Sequence, residues 1–316
     1  MNPHTTFHWA LCALSKTQIP GPAAKSRNPL ARAGLALLGA LALMGASTQA
    51  ETIAGTGIST FPYTITASGL YHLTANNSTY NRTNGAAITI NLSAAYKDND
   101  VVLDMNEHTI VQTNRNYSII DYVGSYPTGI KVVSTGTGRV TVRNGTLRGF
   151  GIGIDISGDR CLIEDMTVIG TSRTGIRILG NNGLVRNNRI IGTTDQVHGY
   201  SGGCRGILCG GNGMRFINND VQDTNLSDTS DGAYAMDIYA VGDDLILENN
   251  RVSKMPDGSY LHSYGMIVEG NGLVVNSHIT SCYGGIYLSG GKYRDNLVDG
   301  ATIPYDVSAT DAGNNQ

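Results

Sequence analysis

A five-residue phrase recurs through the second half of this chain and limits what it can fold into. It is a leading residue, then Asn or Asp, a variable pair and an aliphatic. It reads Arg143-Asn144-Gly145-Thr146-Leu147, Glu164-Asp165-Met166-Thr167-Val168 and Arg186-Asn187-Asn188-Arg189-Ile190. It continues as Ile217-Asn218-Asn219-Asp220-Val221, Glu248-Asn249-Asn250-Arg251-Val252, Val275-Asn276-Ser277-His278-Ile279 and Arg294-Asp295-Asn296-Leu297-Val298. Its second positions, from Asn144 to Asp295, are separated by 21, 22, 31, 31, 27 and 19 residues. A repeat of that length predicts a solenoid, with the longer steps as loops inserted on one face.

Each repeat holds three short extended pieces. An aliphatic strand follows the Asn, as in Arg189-Ile190-Ile191. After a connection of variable length, a strand opens on a small residue: Gly129-Ile130-Lys131-Val132, Gly153-Ile154-Asp155-Ile156, Gly175-Ile176-Arg177-Ile178 and Gly206-Ile207-Leu208-Cys209. The same series gives Ala235-Met236-Asp237-Ile238, Gly265-Met266-Ile267-Val268 and Gly285-Ile286-Tyr287-Leu288. A third strand, such as Val140-Thr141-Val142, returns to the Asn. Three strands of period two per repeat make a triangular all-β coil, and no helical periodicity is sustained.

Ahead of the repeats, Arg27 and Arg32 flank an apolar run, Ala33 to Ala46, followed by Thr48-Gln49-Ala50. This is the pattern of a signal peptide over residues 1–50, cleaved after Ala50. A retained membrane anchor is the alternative, although the run is short for a bilayer span. Export to the periplasm or beyond is the expectation, with no membrane contact after cleavage. Removing 50 of 316 residues leaves 266, enough for one large β domain. The leader carries four of the 22 basic residues and none of the 25 acidic ones, so the remainder stands at 18 against 25, a net of −7. An acidic surface without a basic run argues against nucleic acid as a partner. Four cysteines remain beyond the leader, of which Cys204 and Cys209 are the one pair close enough in sequence to suggest a disulfide.

The repeat, together with Val101-Val102-Leu103-Asp104-Met105-Asn106-Glu107-His108-Thr109-Ile110, resembles the right-handed parallel β-helix proteins of the pectate-lyase-like superfamily, over about residues 86–300. The resemblance implies an all-β, single-stranded solenoid of about eight coils; the chain is expected to be monomeric, with the Thr-, Ser-, Asn- and Gly-rich residues 51–85 as an N-terminal cap over its open end and 301–316 as a C-terminal tail. The resemblance places the stacked Asn residues at the tight turn between the second and third sheets, about 4.8 Å apart from coil to coil. It makes the Gly-opened strands the first sheet, whose outer face is a polysaccharide cleft in that family.

Taking alternate residues, the outer face reads Lys131, Asp155, Arg177, Leu208, Asp237, Ile267 and Tyr287, with Tyr239, Glu269 and Ser289 in a second column. The three long steps place inserts at about 193–205, 223–233 and 254–264, stacked along one edge, where a rigid scaffold commonly carries a site. Candidate catalytic residues are Asp237, whose neighbours Leu208 and Ile267 are apolar, His198 and His262 as bases, and Arg177 and Arg205 as holders of an acid group. Candidate substrate contacts are Lys131, Asp155, Tyr200, Tyr234, Tyr264 and Tyr287, the tyrosines by stacking on sugar rings. A bland reading stands beside these: Lys131, Asp155 and Arg177 alternate in sign and can satisfy one another across coils.

What the resemblance implies is an exported enzyme, a lyase or C5-epimerase removing the proton next to the carboxylate of an acidic glycan. The alternatives are a two-carboxylate hydrolase, or a non-enzymatic glycan-binding or cell-surface solenoid. The acidic calcium cluster of pectate lyases and the Asp-Pro-His-Asp of the epimerases are both absent. Asp223, Asp228 and Asp231 offer carboxylates to Ca²⁺. Gly242-Asp243-Asp244 aligns with Gly180-Asn181-Asn182 and Gly211-Asn212-Gly213 and is therefore expected as a structural turn, not a catalytic pair.

Overall fold

The computed structural model describes residues 55–75, 78–92, 100–114, 126–134, 138–195, 203–226, 234–254 and 263–316. These are strands and turns, with no helix long and apolar enough to cross a membrane among the described residues. The strands pair in parallel, each with its counterpart one coil away, so the chain winds as a solenoid with three faces. On the first face, Ala86–Leu92, Thr128–Ser134, Ile152–Ser157, Thr174–Leu179, Cys204–Gly210 and Ala235–Val241 follow one another, continued by the first parts of Ser263–Val275 and Gly284–Arg294. Those eight strands are the eight coils expected over residues 86–300. The strand Val140–Arg148 bends across the other two faces, its first half pairing with Val101–Asp104 and its second with Thr109–Gln112.

Both ends extend further than the sequence suggests. In the expected cap, Thr56–Ile58 and Gly69–Leu73 pair in the second sheet and Tyr63–Ile65 in the first, so this segment is itself a rung of the solenoid. In the expected tail, Ile303–Val307 and Thr310–Asp311 pair with Gly284–Arg294 and add a last partial coil.

Strand alternation sets the core. One inward column is Ile88, Ile130, Ile154, Ile176, Ile207, Ile238, Met266 and Ile286, none more than 1% exposed. Parallel columns of Val and Leu from the other faces meet it and form one continuous apolar core. Burial of such columns, worth about 25 cal/mol per Å², favours stacking because a single coil has nothing else to cover its inner face.

The Asn phrase divides its work between two adjacent positions, a correction to the expected stack. The first position, Asn144, Asp165, Asn187, Asn218, Asn249, Asn276 and Asp295, lies at φ between 49° and 67°. Asn and Asp tolerate this left-handed conformation better than other residues with side chains. The buried ladder is made by the next residue instead: Asn188, Asn219, Asn250, Ser277 and Asn296 are each at most 2% exposed. Asn188 Nδ2 donates to Asn219 Oδ1 at 3.0 Å, and Asn219 Nδ2 donates to Asn250 Oδ1 at 3.0 Å. The same amides donate to the carbonyls of Ile163 and Val185. Asn315 of the last partial coil accepts from Asn296 and ends the ladder.

A glycine opens most strands of the first sheet for a steric reason. A Cβ on Gly153 would stand 2.5 Å from the carbonyl oxygen of Gly175 and 2.5 Å from Val168 Cγ1. The coil of Ala235 breaks this column. Ile207 is opposite Ile238 and Leu208 opposite Tyr239, so Asp237 stands where neighbouring coils have Gly206 and Gly265. The sequence alignment of that strand is therefore two residues out of register. A two-residue slip leaves the alternation intact, which is why Ile238 is still correctly read as inward.

Candidate functional site

The long connections share one edge. They leave after Arg189–Ile191, Asp220–Gln222 and Arg251–Ser253, which are neighbours in the third sheet, and return at Cys204, Ala235 and Ser263, which are neighbours in the first. The first two begin by pairing with each other, Thr194–Asp195 against Asn225–Leu226. His198, Tyr200, His262, Asp228 and Asp231 lie outside the described residues. The proposed bases and two of the three proposed Ca²⁺ carboxylates therefore fall there.

Two coils earlier the same edge is low. The turns after Val140–Arg148 and after Leu162–Ile169 span only residues 149–151 and 170–173 before the next strand of the first sheet. Above them lies a cavity of about 360 Å³, whose lining includes Tyr126, Thr128, Lys131, Asp155, Arg173 and Arg177. Lys131, Asp155 and Arg177 are opposite one another on three successive strands, as the alternation predicts.

The charges in this notch are unbalanced. Arg177 grips Asp155 with two bonds, Nε to Oδ1 and Nη2 to Oδ2, both 2.7 Å. Asp155 is 5% exposed. Its hydrogen bonds raise the Arg177 pKa further, against the opposing effect of burial. Lys131 makes no ion pair among the described residues. Arg173 lies over the ring of Tyr126, 4.8 Å from its centroid, a cation–π contact. Mutual satisfaction along the column thus holds for Asp155 with Arg177 and not for Lys131, while Arg173 adds a third cationic side chain to the lining. Arg173 and Tyr126 were not legible as site residues: both stand in the turn just before a strand, which an alternation pattern does not cover.

The other candidates separate from this notch. Arg205 lies with its guanidinium 5.5 Å from the ring centroid of Tyr239. Tyr239, not Asp237, holds the outward position between Leu208 and Ile267. Burial first and the nearby Glu269 second push its phenol up. Tyr234 and Tyr264 meet edge to face at 5.7 Å, and Tyr264 meets Tyr283 at 6.3 Å. Tyr287 follows in the outward column beside Ile267. The first sheet is therefore cationic toward the N-terminal end and aromatic toward the C-terminal end. Tyr239 lies two rungs from Arg177, about 10 Å.

Asp237 is a correction. It is 0% exposed and faces the inside of the coil, next to the side chain of Lys254. Burial pushes its carboxyl up to about 6, with Lys254 and Thr224 pulling the other way. The perturbed carboxyl expected there exists, but it faces away from the cleft.

Other expectations are settled by packing. Cys204 and Cys209 form no disulfide and are buried toward opposite ends of one strand. Five residues of extended chain hold them about 16 Å apart, too far for a disulfide. Gly242-Asp243-Asp244 is a turn: the carbonyl of Gly211 lies 2.2 Å from where a Gly242 Cβ would be, and Asp243 Oδ1 accepts from the Asn271 amide at 3.1 Å. Among the described residues no three His, Cys, Asp or Glu side chains converge on a metal position.

A parallel three-faced solenoid with a charged notch on its first sheet defines the class of protein. Residues 128–303 match the family profile described as "Right handed beta helix region", more than half of the chain. The protein belongs to the right-handed β-helix family. A search of curated proteins gives no match. Among solved structures, a GH136 lacto-N-biosidase from Eubacterium ramulus aligns at 10% identity with a TM-score of 0.49, over 83% of this chain and 60% of that one. ORF18 of Geobacillus virus E2 aligns at 15% identity and 0.42, over 93% and 65%. The A-module of the Azotobacter vinelandii mannuronan C-5 epimerase AlgE4 aligns at 12% and 0.34, over 79% and 91%. The chain spans less than two thirds of the length of the first two.

Proposed function

We propose that this protein acts on an acidic polysaccharide along its first sheet, outside the cytoplasm, as a lyase or C5-epimerase. The observation that carries this is the notch with three cations against one carboxylate, the carboxylate being held by Arg177. Such a site favours a ligand bearing its own carboxylate. Lys131 and Arg173 would hold that group, stabilising the charge that develops when the neighbouring proton is removed. Lys131 is also placed to exchange that proton, being an amine on the open face with no ion pair among the described residues. The tyrosines two or more rungs away would stack on further sugar units. Two-carboxylate hydrolysis has less support: it needs acids about 5–10 Å apart, and among the described residues lining the notch Asp155 is the one acid.

The test is a panel of uronate-containing and neutral polysaccharides, read by ultraviolet absorbance of unsaturated ends, by reducing ends, and by proton NMR for epimerisation. Lys131→Ala and Arg173→Ala should each abolish turnover, while Arg251→Ala on the third sheet should leave it unchanged. Equal binding of neutral and acidic polymers, or full activity in both notch variants, would refute the reading.

A further inference from the structure

Asp237 and Lys254 are the least explained groups in the core. Lys254 follows Arg251–Ser253 at the corner where the third connection leaves, and its side chain is 3% exposed. Asp237 replaces the glycine of the first-sheet column, and its side chain is 0% exposed. The closest approach, Lys254 Nζ to Asp237 Oδ2, is 4.0 Å, too long for a hydrogen bond. Among the described residues neither carboxylate oxygen nor Nζ has a hydrogen-bond partner of good geometry; the buried hydroxyl of Thr224 stands beside Asp237 and favours its ionised form without reaching that geometry. Thr224 is the next residue of a buried stack in which the Thr171 and Thr193 hydroxyls bond at 3.0 Å.

As ions this arrangement is costly. Two charges taken from water are compensated by their attraction only where geometry is close and remaining donors and acceptors are satisfied. Here the two stand 4.0 Å apart, with Thr224 beside Asp237 as a weak further partner. Removing both charges while keeping both side chains in place would resolve the conflict. Proton transfer alone removes the charges but leaves a carboxyl and an amine buried; condensation of the two consumes both groups and needs no other reactant.

We propose that Asp237 and Lys254 join in an intramolecular isopeptide bond, a covalent cross-link that closes one coil of the solenoid. The ammonium gives a proton to the carboxylate. The freed amine attacks the carboxyl carbon, forming the C–N bond. A C–O bond then breaks, and the hydroxyl departs as water with a second proton from nitrogen. Carboxylate and ammonium become amide and water, with no oxidant or cofactor. Burial favours this direction twice: it destabilises the ionised reactants, and it pushes the Asp237 carboxyl toward the protonated form that the step requires. The product puts an amide beside the Thr224 hydroxyl. It ties the first sheet to the corner from which the third connection leaves, a closure that restricts the unfolded chain.

The test is a tryptic digest of the full chain under denaturing conditions. The expected product is Phe216–Arg251 joined to Val252–Lys292, lighter by one water than the two peptides apart, uncut after Lys254, with fragmentation placing the bond at Asp237 and Lys254. Lys254→Met should abolish the joined product. Asp237→Ala, which has no carboxyl carbon to attack, should abolish it as well. Cleavage after Lys254 together with an unmodified Phe216–Arg251 peptide would overturn the inference.

Discussion

Asn218 and Asn219 are adjacent and alike, yet the structure gives them different work that substitution can separate. Asn219 is 1% exposed. Its Nδ2 donates to Val185 O at 2.9 Å and to Asn250 Oδ1 at 3.0 Å. Its Oδ1 accepts from Asn188 N at 3.2 Å and from Asn188 Nδ2 at 3.0 Å. Truncation to Ala removes four buried bonds and leaves the Asn188 backbone N–H without its acceptor. At about 1 kcal/mol net per bond, and more for an orphaned buried donor, the expected cost is about 3–5 kcal/mol. Asn218 has φ of 56° and one exposed bond, from its Nδ2 to Asn187 Oδ1 at 3.3 Å. Ala there meets a left-handed penalty of about 1–2 kcal/mol, whereas Gly escapes it and should be within about 1 kcal/mol of wild type. Gly at 219 should remain as costly as Ala. Urea unfolding followed by far-ultraviolet circular dichroism gives the ordering through the midpoints, since a solenoid need not unfold in one step. If Asn218→Gly lowers the midpoint as much as Asn219→Gly, the division of labour is wrong.

Three further outcomes follow from packing and charge. Gly153→Ala forces a Cβ to 2.5 Å from the Gly175 carbonyl oxygen and should cost about 2–3 kcal/mol. Gly170→Ala has open space but φ of 62°, so about 1 kcal/mol is expected; thermal melts of the two should rank in that order. Burial pushes the Cys161 thiol up to about 11 and the Cys209 and Cys282 thiols up to about 12. None should react with a thiol reagent near neutral pH until the chain is unfolded, and reaction of the folded protein at the rate of a free thiol would contradict their burial. Around Asp237 stand Lys254, Thr224, Asp223 and Cys282. A carboxyl raised from 3.8 to about 6 binds its proton more tightly folded than unfolded. Its contribution is complete below about pH 4 and is lost as pH rises through 6, about 3 kcal/mol in all. Lys254→Met, which cannot form the amide, should show at least that loss in its urea midpoints, while the cross-linked wild type should show no dependence from this group.

The sequence by itself determined the architecture. Apolar residues at alternate positions, repeated coil after coil, can be buried only by stacking, so Ile154, Ile176 and Ile238 had to face inward wherever the connections ran. It also placed Lys131, Asp155 and Arg177 in one outward column, because alternation along a strand and parallel register between strands are both local rules. What it left undecided depends on register between coils and on side chains in turns. Asp237 lies in the interior because the pairing of Ile207 with Ile238 puts it at the glycine position that opens the strand, where a side chain points at the corner occupied by Val221 and Thr224 and strict alternation lapses. The buried ladder fell on Asn219 and not Asn218 because φ, which a list of residues does not contain, decides which amide points in. Arg173 and Tyr126 joined the notch because each stands just before a strand of the first sheet and the turn between their coils, residues 149–151, is short. Their contact was settled by tertiary structure alone, since proximity across coils has no trace in the local sequence.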